Sequence, residues 1–130
     1  MGTRSKVDVF DKNDNVIISI YRQFDGDEIM ENDLIEFLSK SRLVKRINKE
    51  ESCPEYQSGM EELAGDLFIF LKKKTKIVMP ANPITNNDFA FEYQIKFYKG
   101  NGGVYLIKKS AYSTIWNRVR FNKIPLTNNM

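Results

Sequence analysis

The sequence predicts an α+β fold: an antiparallel sheet of about five strands, with elements in the order ββ-α-α-β-β-β and two helices packed on one face. Both ends of the chain alternate apolar and polar residues, as half-buried strands do, whereas the middle shows the spacing of amphipathic helices. At 130 residues, one domain over 1–125 and a frayed tail over 126–130 are expected. The polar stretch 41–57 is expected to hold only a short turn or helical stub.

An N-terminal β-hairpin is predicted over residues 6–22. Five aliphatic side chains in it alternate with polar ones: Val7, Val9, Val16, Ile18 and Ile20. The intervening "DKNDN" at 11–15 has the composition of a turn. A register that pairs Val9 with Ile18 places all five aliphatic side chains on one face, so both strands agree on the same pairing.

Two helices are predicted in the middle of the chain. The first covers 28–40, and its N-cap is either Asp27 or Asn32. Its apolar stripe consists of Met30, Leu34, Ile35 and Leu38. The second opens at "SGME" (58–61), which has the pattern of a capping box with Ser58 as the cap. Its apolar face consists of Met60, Leu63, Ala64, Leu67, Phe68 and Leu71.

The remaining strands follow the second helix. Residues 76–80 predict a short strand, and 89–98 and 104–109 predict the two arms of a hairpin. The segment 112–116 fits either a further strand or a short helix. Five side chains of the longest strand are expected to face the helices: Phe89, Phe91, Tyr93, Ile95 and Phe97.

The composition excludes several kinds of site. The chain has no histidine and one cysteine, Cys53, so a Cys/His zinc site and an internal disulfide are both excluded. Four carboxylates lie close together at Asp25, Asp27, Glu28 and Glu31, but their spacing fits no calcium loop. No nucleophile–base motif is present. The sequence therefore favours a protein that is not an enzyme and holds neither a metal nor a cofactor.

The first candidate site lies where the N-terminal hairpin leads into the first helix. The predicted register brings Arg4 opposite Gln23, beside Arg22, with Asp25 close by. Guanidinium groups suit phosphate or carboxylate ligands, and the ring of Tyr21 can stack on a base or sugar. The alternative is a structural Arg–Asp pair that ties the end of the strand to the helix.

The second candidate site is the C-terminal third of the chain, which is entirely cationic. No acidic residue follows Glu92. The cations proposed to contact nucleic acid are Lys96, Lys99, Lys108, Lys109, Arg118 and Arg120. Aromatic residues lie between them, and lysines interleaved with aromatics on a sheet can neutralise phosphates and stack bases. The alternative is a basic surface patch without a ligand.

Three segments carry a resemblance: "GTRS" at 2–5, "YRQFDG" at 21–26 and "SGMEELAGDLFIFLK" at 58–72. In this order they resemble a family of short, uncharacterised proteins of bacteria, phages and large DNA viruses. The resemblance implies a fold and a viral or bacterial source, but no activity. The chain departs from the family pattern after "FDG", where "DEIMEND" replaces a loop with Tyr, Gly and His, and at "GMEE", which replaces Gly-Met-Gly-Cys.

These observations lead to two hypotheses of function. The first is a small intracellular binding protein, of viral source, that holds a small anionic, nucleotide-like ligand or a host protein near Arg4 and Arg22. The second is a nucleic-acid-binding protein that uses the cationic C-terminal third. A homodimer is expected, because aromatic-rich terminal strands leave an edge to cover. The charged N-terminus and the lack of a membrane-length apolar run predict a cytoplasmic location, the host cytoplasm for a viral protein.

Overall fold

The computed structural model describes residues 3–43, 56–57, 59–75, 78–80, 89–98 and 103–122. The elements are β1 (Ser5–Phe10), β2 (Val16–Arg22), α1 (Glu28–Lys40), β3 (Arg42–Leu43), β4 (Tyr56–Gln57), α2 (Met60–Lys74), β5 (Val78–Pro80), β6 (Phe91–Tyr98), β7 (Gly103–Ser110) and β8 (Asn117–Val119). The predicted α+β class is confirmed. The predicted tail at 126–130 lies outside the described residues.

The main sheet has six strands in the order β5-β2-β1-β6-β7-β8. It is mixed, since β1 pairs with β6 in parallel, whereas the prediction made the sheet antiparallel with about five strands. A strand shows the same alternation of apolar residues whether it pairs in parallel or antiparallel. The sequence pattern therefore cannot show that β6, which follows α2, pairs with β1 in parallel. A second, small sheet pairs β3 with β4 in parallel, so residues 42–43 form a strand and not a helical stub.

The N-terminal hairpin has the predicted register, with Val7 opposite Ile20 and Val9 opposite Ile18. A β-bulge then shifts the pairing, so that Phe10 lies opposite Val16. The prediction placed Val16 on the aliphatic face. Because the bulge changes the alternation, Val16 is instead 47% exposed. The turn is held by the Asp11 side chain, which accepts hydrogen bonds from two backbone N–H groups in the predicted "DKNDN" segment.

Both helices have the predicted apolar faces. α1 begins after Asp27, which settles the choice of N-cap position in its favour over Asn32. α2 begins after Gly59, so the predicted capping box is wrong: Glu61 is one residue too close to the cap, and Ser58 lies outside the described residues. Helical backbone starts only at Met60 because Gly59 is fully extended.

One hydrophobic core joins the helices to one face of the sheet. The helices supply Met30, Leu34, Phe37, Leu38, Met60, Leu63, Ala64, Leu67 and Leu71, and the sheet supplies Val7, Val9, Ile20, Val78, Tyr93, Ile95 and Leu106. We call this covered side of the sheet the helical face and the opposite side the outer face. Both helices therefore lie on one side of the sheet, as predicted.

Two expectations about the C-terminal half are wrong. Phe89 packs against Tyr21, with ring centroids 5.5 Å apart, and Lys6 lies over its ring. Tyr21 and Lys6 are cross-strand partners that point to the outer face, so Phe89, which contacts both, also lies on the outer face. The prediction extended the alternation of β6 back to Phe89, but this strand begins only at Phe91. The segment 112–116 is irregular, and the last strand begins at Asn117.

Candidate functional site

Arg22, the centre of the first predicted site, is buried between β2 and α1. Its side chain is only 3% exposed, and its Nη1 donates to Asp33 Oδ2 at 2.7 Å. Its Nε donates to the carbonyl of Phe24 at 3.0 Å, and its Nη1 lies 3.7 Å from Met30 Sδ. The sequence placed this guanidinium near Asp25. The structure instead pairs it with Asp33, which ties the end of the strand to the helix.

The other residues of that predicted site point in different directions. Arg4 and Asp25 are exposed, and Gln23 is half-buried. Asp25 has a positive φ of 59°, so the chain turns sharply there. Tyr21 lies on the outer face while Arg22 enters the helical face, because successive residues of a strand point to opposite sides. These two side chains therefore cannot line the same cleft.

Residues 3–5 and 21–26 meet at Gly26. Its backbone N–H donates to the carbonyl of Thr3 at 2.9 Å. A Cβ at Gly26 would lie 2.7 Å from both Ser5 Cβ and the Thr3 carbonyl, closer than real Cβ contacts. Ser5 Oγ is buried, and the described residues offer it no hydrogen-bond partner. Two of the three segments on which the family resemblance rests thus have a packing reason to occur together.

A polar cluster that sequence reasoning missed joins α1 to the sheet. The Tyr93 hydroxyl shares its single hydrogen between the backbone carbonyls of Gly26 and Asp27, whose oxygens lie 2.9 and 3.0 Å away. Lys108 Nζ donates to Asp27 Oδ1 at 2.8 Å and to Glu31 Oε1 at 2.9 Å. Lys108 Nζ also lies over the rings of Phe91 and Tyr93, which adds cation–π attraction. Lys108 is therefore held by two carboxylates and leaves no surplus positive charge.

The pKa values of Tyr93 and Lys108 are both raised, so both groups keep their protons at neutral pH. Burial raises the pKa of the Tyr93 phenol well above its ordinary value. Burial alone would lower the pKa of Lys108, but its hydrogen bonds to Asp27 and Glu31 outweigh burial and raise that pKa. Neither group is then suited to act as a base. The sequence contained one indication that Lys108 lies on the helical face. Lys108 follows the apolar Leu106 by two residues, and residues two apart in a strand point to the same face.

The outer face of β1 and β6 carries a balanced charge network. Lys6 Nζ lies 3.3 Å from Asp8 and 3.7 Å from Glu92, and Lys109 Nζ lies 3.3 Å from Glu92. The Ser19 hydroxyl donates to Asp8 at 2.5 Å. Two cations face two carboxylates, so this part of the surface contributes no net charge to a binding site.

Lys96 is similarly engaged. Its Nζ lies 3.2 Å from Asp14 and 4.7 Å from the centre of the Phe10 ring. Lys99 lies outside the described residues. Arg118 and Arg120 differ from Lys96, Lys108 and Lys109, because no carboxylate of the described chain lies within ion-pair distance of either arginine.

Arg118 and Arg120 form part of an alternating surface on the outer face of β7 and β8. The register pairs Arg118 with Ile107. Trp116 and Arg120 lie two residues before and after Arg118, just beyond the ends of β8, and the alternation of the strand places them on the same face. The Arg118 guanidinium lies 4.9 Å from the Tyr105 ring centre, and Lys109 Nζ lies 5.7 Å from that of Trp116. We call this surface the basic–aromatic track; its residues are Tyr105, Lys109, Trp116, Arg118 and Arg120.

Open clefts border the track. One of about 690 Å³ lies at the end of β6–β8 and is lined by Tyr98, Arg118 and Arg120 among others. Another of about 660 Å³ lies between α1 and β8, where Glu31 and Lys108 form part of its wall together with both arginines. A smaller groove of about 290 Å³ separates the two helices. Both arginines therefore border open space on each side of β8.

In the described ranges, no three histidine, cysteine or carboxylate side chains converge as a metal site would require. No helix within those ranges has the length and apolar character needed to cross a membrane. The chain matches no family model, no curated protein and no solved structure. The family resemblance of the N-terminal motifs therefore stays a prediction.

Proposed function

We propose that the protein binds nucleic acid through the basic–aromatic track. The observation that carries the proposal is the alternation of arginines and aromatic rings on one exposed sheet surface, with Arg118 lying over Tyr105. Guanidinium groups donate to phosphate oxygens, while aromatic rings offer π-faces to bases. The proposal corresponds to the second hypothesis from the sequence, nucleic-acid binding by the cationic C-terminal third.

The charge balance supports an anionic partner at this position. Lys96, Lys108 and Lys109 are each paired with carboxylates. Arg118 and Arg120 have no such partner in the described part of the chain, and both are exposed. The uncancelled positive charge of this surface is therefore that of the two arginines, and no acidic residue follows Glu92 in the sequence to neutralise them.

The first hypothesis has less structural support. Arg22 is buried and its guanidinium already donates to Asp33 and to a backbone carbonyl, which leaves it little capacity for a ligand. Arg4 is exposed and remains a candidate for a small anion. The small anionic ligand, the host-protein partner, the homodimer, the viral source and the cytoplasmic location stay predictions.

The test compares two double variants of equal charge. Arg118→Gln/Arg120→Gln removes two cations from the track, and Lys40→Gln/Lys73→Gln removes two from the ends of the helices. Binding of a fluorescein-labelled oligothymidylate of about twelve nucleotides is measured by anisotropy over a series of salt concentrations. If the arginines contact two phosphates, the slope of log K against log[salt] should become shallower by about 1.4 in the first variant alone.

Three results would oppose the proposal. The first is a wild-type protein that binds no oligonucleotide at low salt. The second is an equal loss of affinity in both double variants, which would indicate attraction by net charge and no localised site. The third is an arginine variant that binds as well as wild type, which would place the contacts elsewhere. Thermal unfolding of each variant checks that the fold is intact, since both pairs are exposed and small effects on stability are expected.

A further inference from the structure

We infer that the nucleic acid the track accepts is single-stranded, with unpaired bases stacked on Tyr98 and Trp116. This inference rests on the proposed function and adds the form of the partner. Two features of the outer face support it: the width and shape of the sheet, and the placement of its aromatic rings relative to the arginines.

The shape of the surface does not fit the groove of a duplex. Six strands spaced about 4.8 Å apart give a sheet roughly 24 Å wide, whereas the major groove of B-DNA is about 12 Å wide. Both described helices lie on the other side of the sheet and are not available to enter a groove. A duplex therefore reaches only the arginines, through its phosphates, whereas a single strand can lie along the sheet.

The aromatic rings provide stacking positions that only unpaired bases can use. Tyr98 is 45% exposed and packs edge-on against Tyr105, with ring centroids 6.3 Å apart. Tyr105 is covered by Arg118, so Tyr98 offers the more open ring at this end. Trp116 is half-buried and lies at the other end of the track, where Lys109 Nζ lies over its ring at 5.7 Å from the ring centre. Bases in a duplex are already stacked on each other, so these rings add affinity for single strands alone.

The arginines lie between the two rings. Arg118 and Trp116 are two residues apart, as are Arg120 and Arg118, which corresponds to roughly 7 Å for each step along an extended strand. The cations therefore occupy positions from which they can contact the phosphates of a strand whose bases stack at either end. The same arginines serve both proposals, whereas Tyr98 and Trp116 serve only this one.

The experiment measures two probes against three proteins. The probes are a fluorescein-labelled oligothymidylate of about twelve nucleotides and a mixed-sequence DNA duplex of equal length. The proteins are wild type, Tyr98→Leu/Trp116→Leu and the control Phe24→Leu. Phe24 is 41% exposed, similar to Tyr98, and lies between β2 and α1, away from the track. The unfolding temperatures show that each variant is folded.

We expect wild type to bind the single strand more tightly than the duplex. The aromatic double variant should lose about thirtyfold or more in affinity for the single strand, because stacking is worth about 1 kcal/mol or more for each of the two bases. Its duplex affinity should not change. Phe24→Leu should leave both affinities unchanged. Equal affinity of wild type for the two probes, or an aromatic variant with undiminished single-strand binding, would overturn the inference and leave the proposed function intact. Absence of binding to both probes would refute both.

Discussion

The buried ion pair between Arg22 and Asp33 allows a sharp test of whether Arg22 stabilises the fold or is available to a ligand. Its atoms lie 2.7 Å apart, and the two side chains are 3% and 13% exposed. Asp33→Asn keeps the size of the side chain but removes its charge. The guanidinium of Arg22 then stays buried with only uncharged acceptors, the amide oxygen of the new side chain and the backbone carbonyl of Phe24.

The expected cost follows from that burial. Removing one partner of a buried pair destabilises a protein by about 3–5 kcal/mol, because an uncompensated charge remains inside. Asparagine still offers an acceptor oxygen, so we expect the lower value of about 3 kcal/mol. For a chain of this length each kcal/mol lowers the unfolding temperature by about 3–4 °C, which gives a decrease of about 10 °C.

Two comparisons isolate the effect. Replacing both partners, as in Arg22→Met/Asp33→Leu, removes the buried charge altogether and should recover most of the lost stability. Glu36→Gln breaks the pair between Glu36 and Lys74, whose side chains are about 40% exposed, and should cost less than about 1 kcal/mol.

The assay is thermal and urea unfolding followed by circular dichroism. If Asp33→Asn shifts the unfolding temperature no more than Glu36→Gln does, the reasoning is refuted: Arg22 is then not committed to the fold. In that case its guanidinium becomes available for the small anionic ligand that the sequence suggests. If the double replacement is as unstable as Asp33→Asn, the loss does not come from a stranded charge.

Gly26→Ala should lower the free energy of unfolding by about 1–3 kcal/mol, because the added methyl group overlaps Ser5. Gly65→Ala, on the exposed side of α2, should leave that free energy unchanged or raise it by up to about 1 kcal/mol. Urea unfolding of the two variants measures both effects. Stability should be level across neutral pH and fall as the pH rises above about 10, because Tyr93 and Lys108 keep their protons in the folded state at a pH where the unfolded chain releases them. Unfolding temperatures between about pH 8 and 11 test this, and Tyr93→Phe should reduce the fall.

Local pattern predicted much of the fold. The register of the N-terminal hairpin and the apolar stripes of both helices depend on side-chain periodicity, which is present in the sequence itself. The parallel pairing of β1 with β6 did not follow from any pattern, because the strands are distant in the chain and alternate identically in either orientation. The register shift between Val9 and Phe10 overturned the predicted burial of Val16, and the extended Gly59 moved the start of α2 by one residue.

The candidate site divides in the same way. The sequence by itself determined which residues carry charge: an acidic middle, a purely cationic C-terminal third and aromatics between the cations. Only the tertiary structure decided which charges remain available. Asp33 neutralises Arg22, and Asp27 and Glu31 neutralise Lys108, through contacts between residues 11 to 81 positions apart. The charge of a side chain is a property of its residue type, but whether that charge is free depends on what folding places within a few ångströms of it.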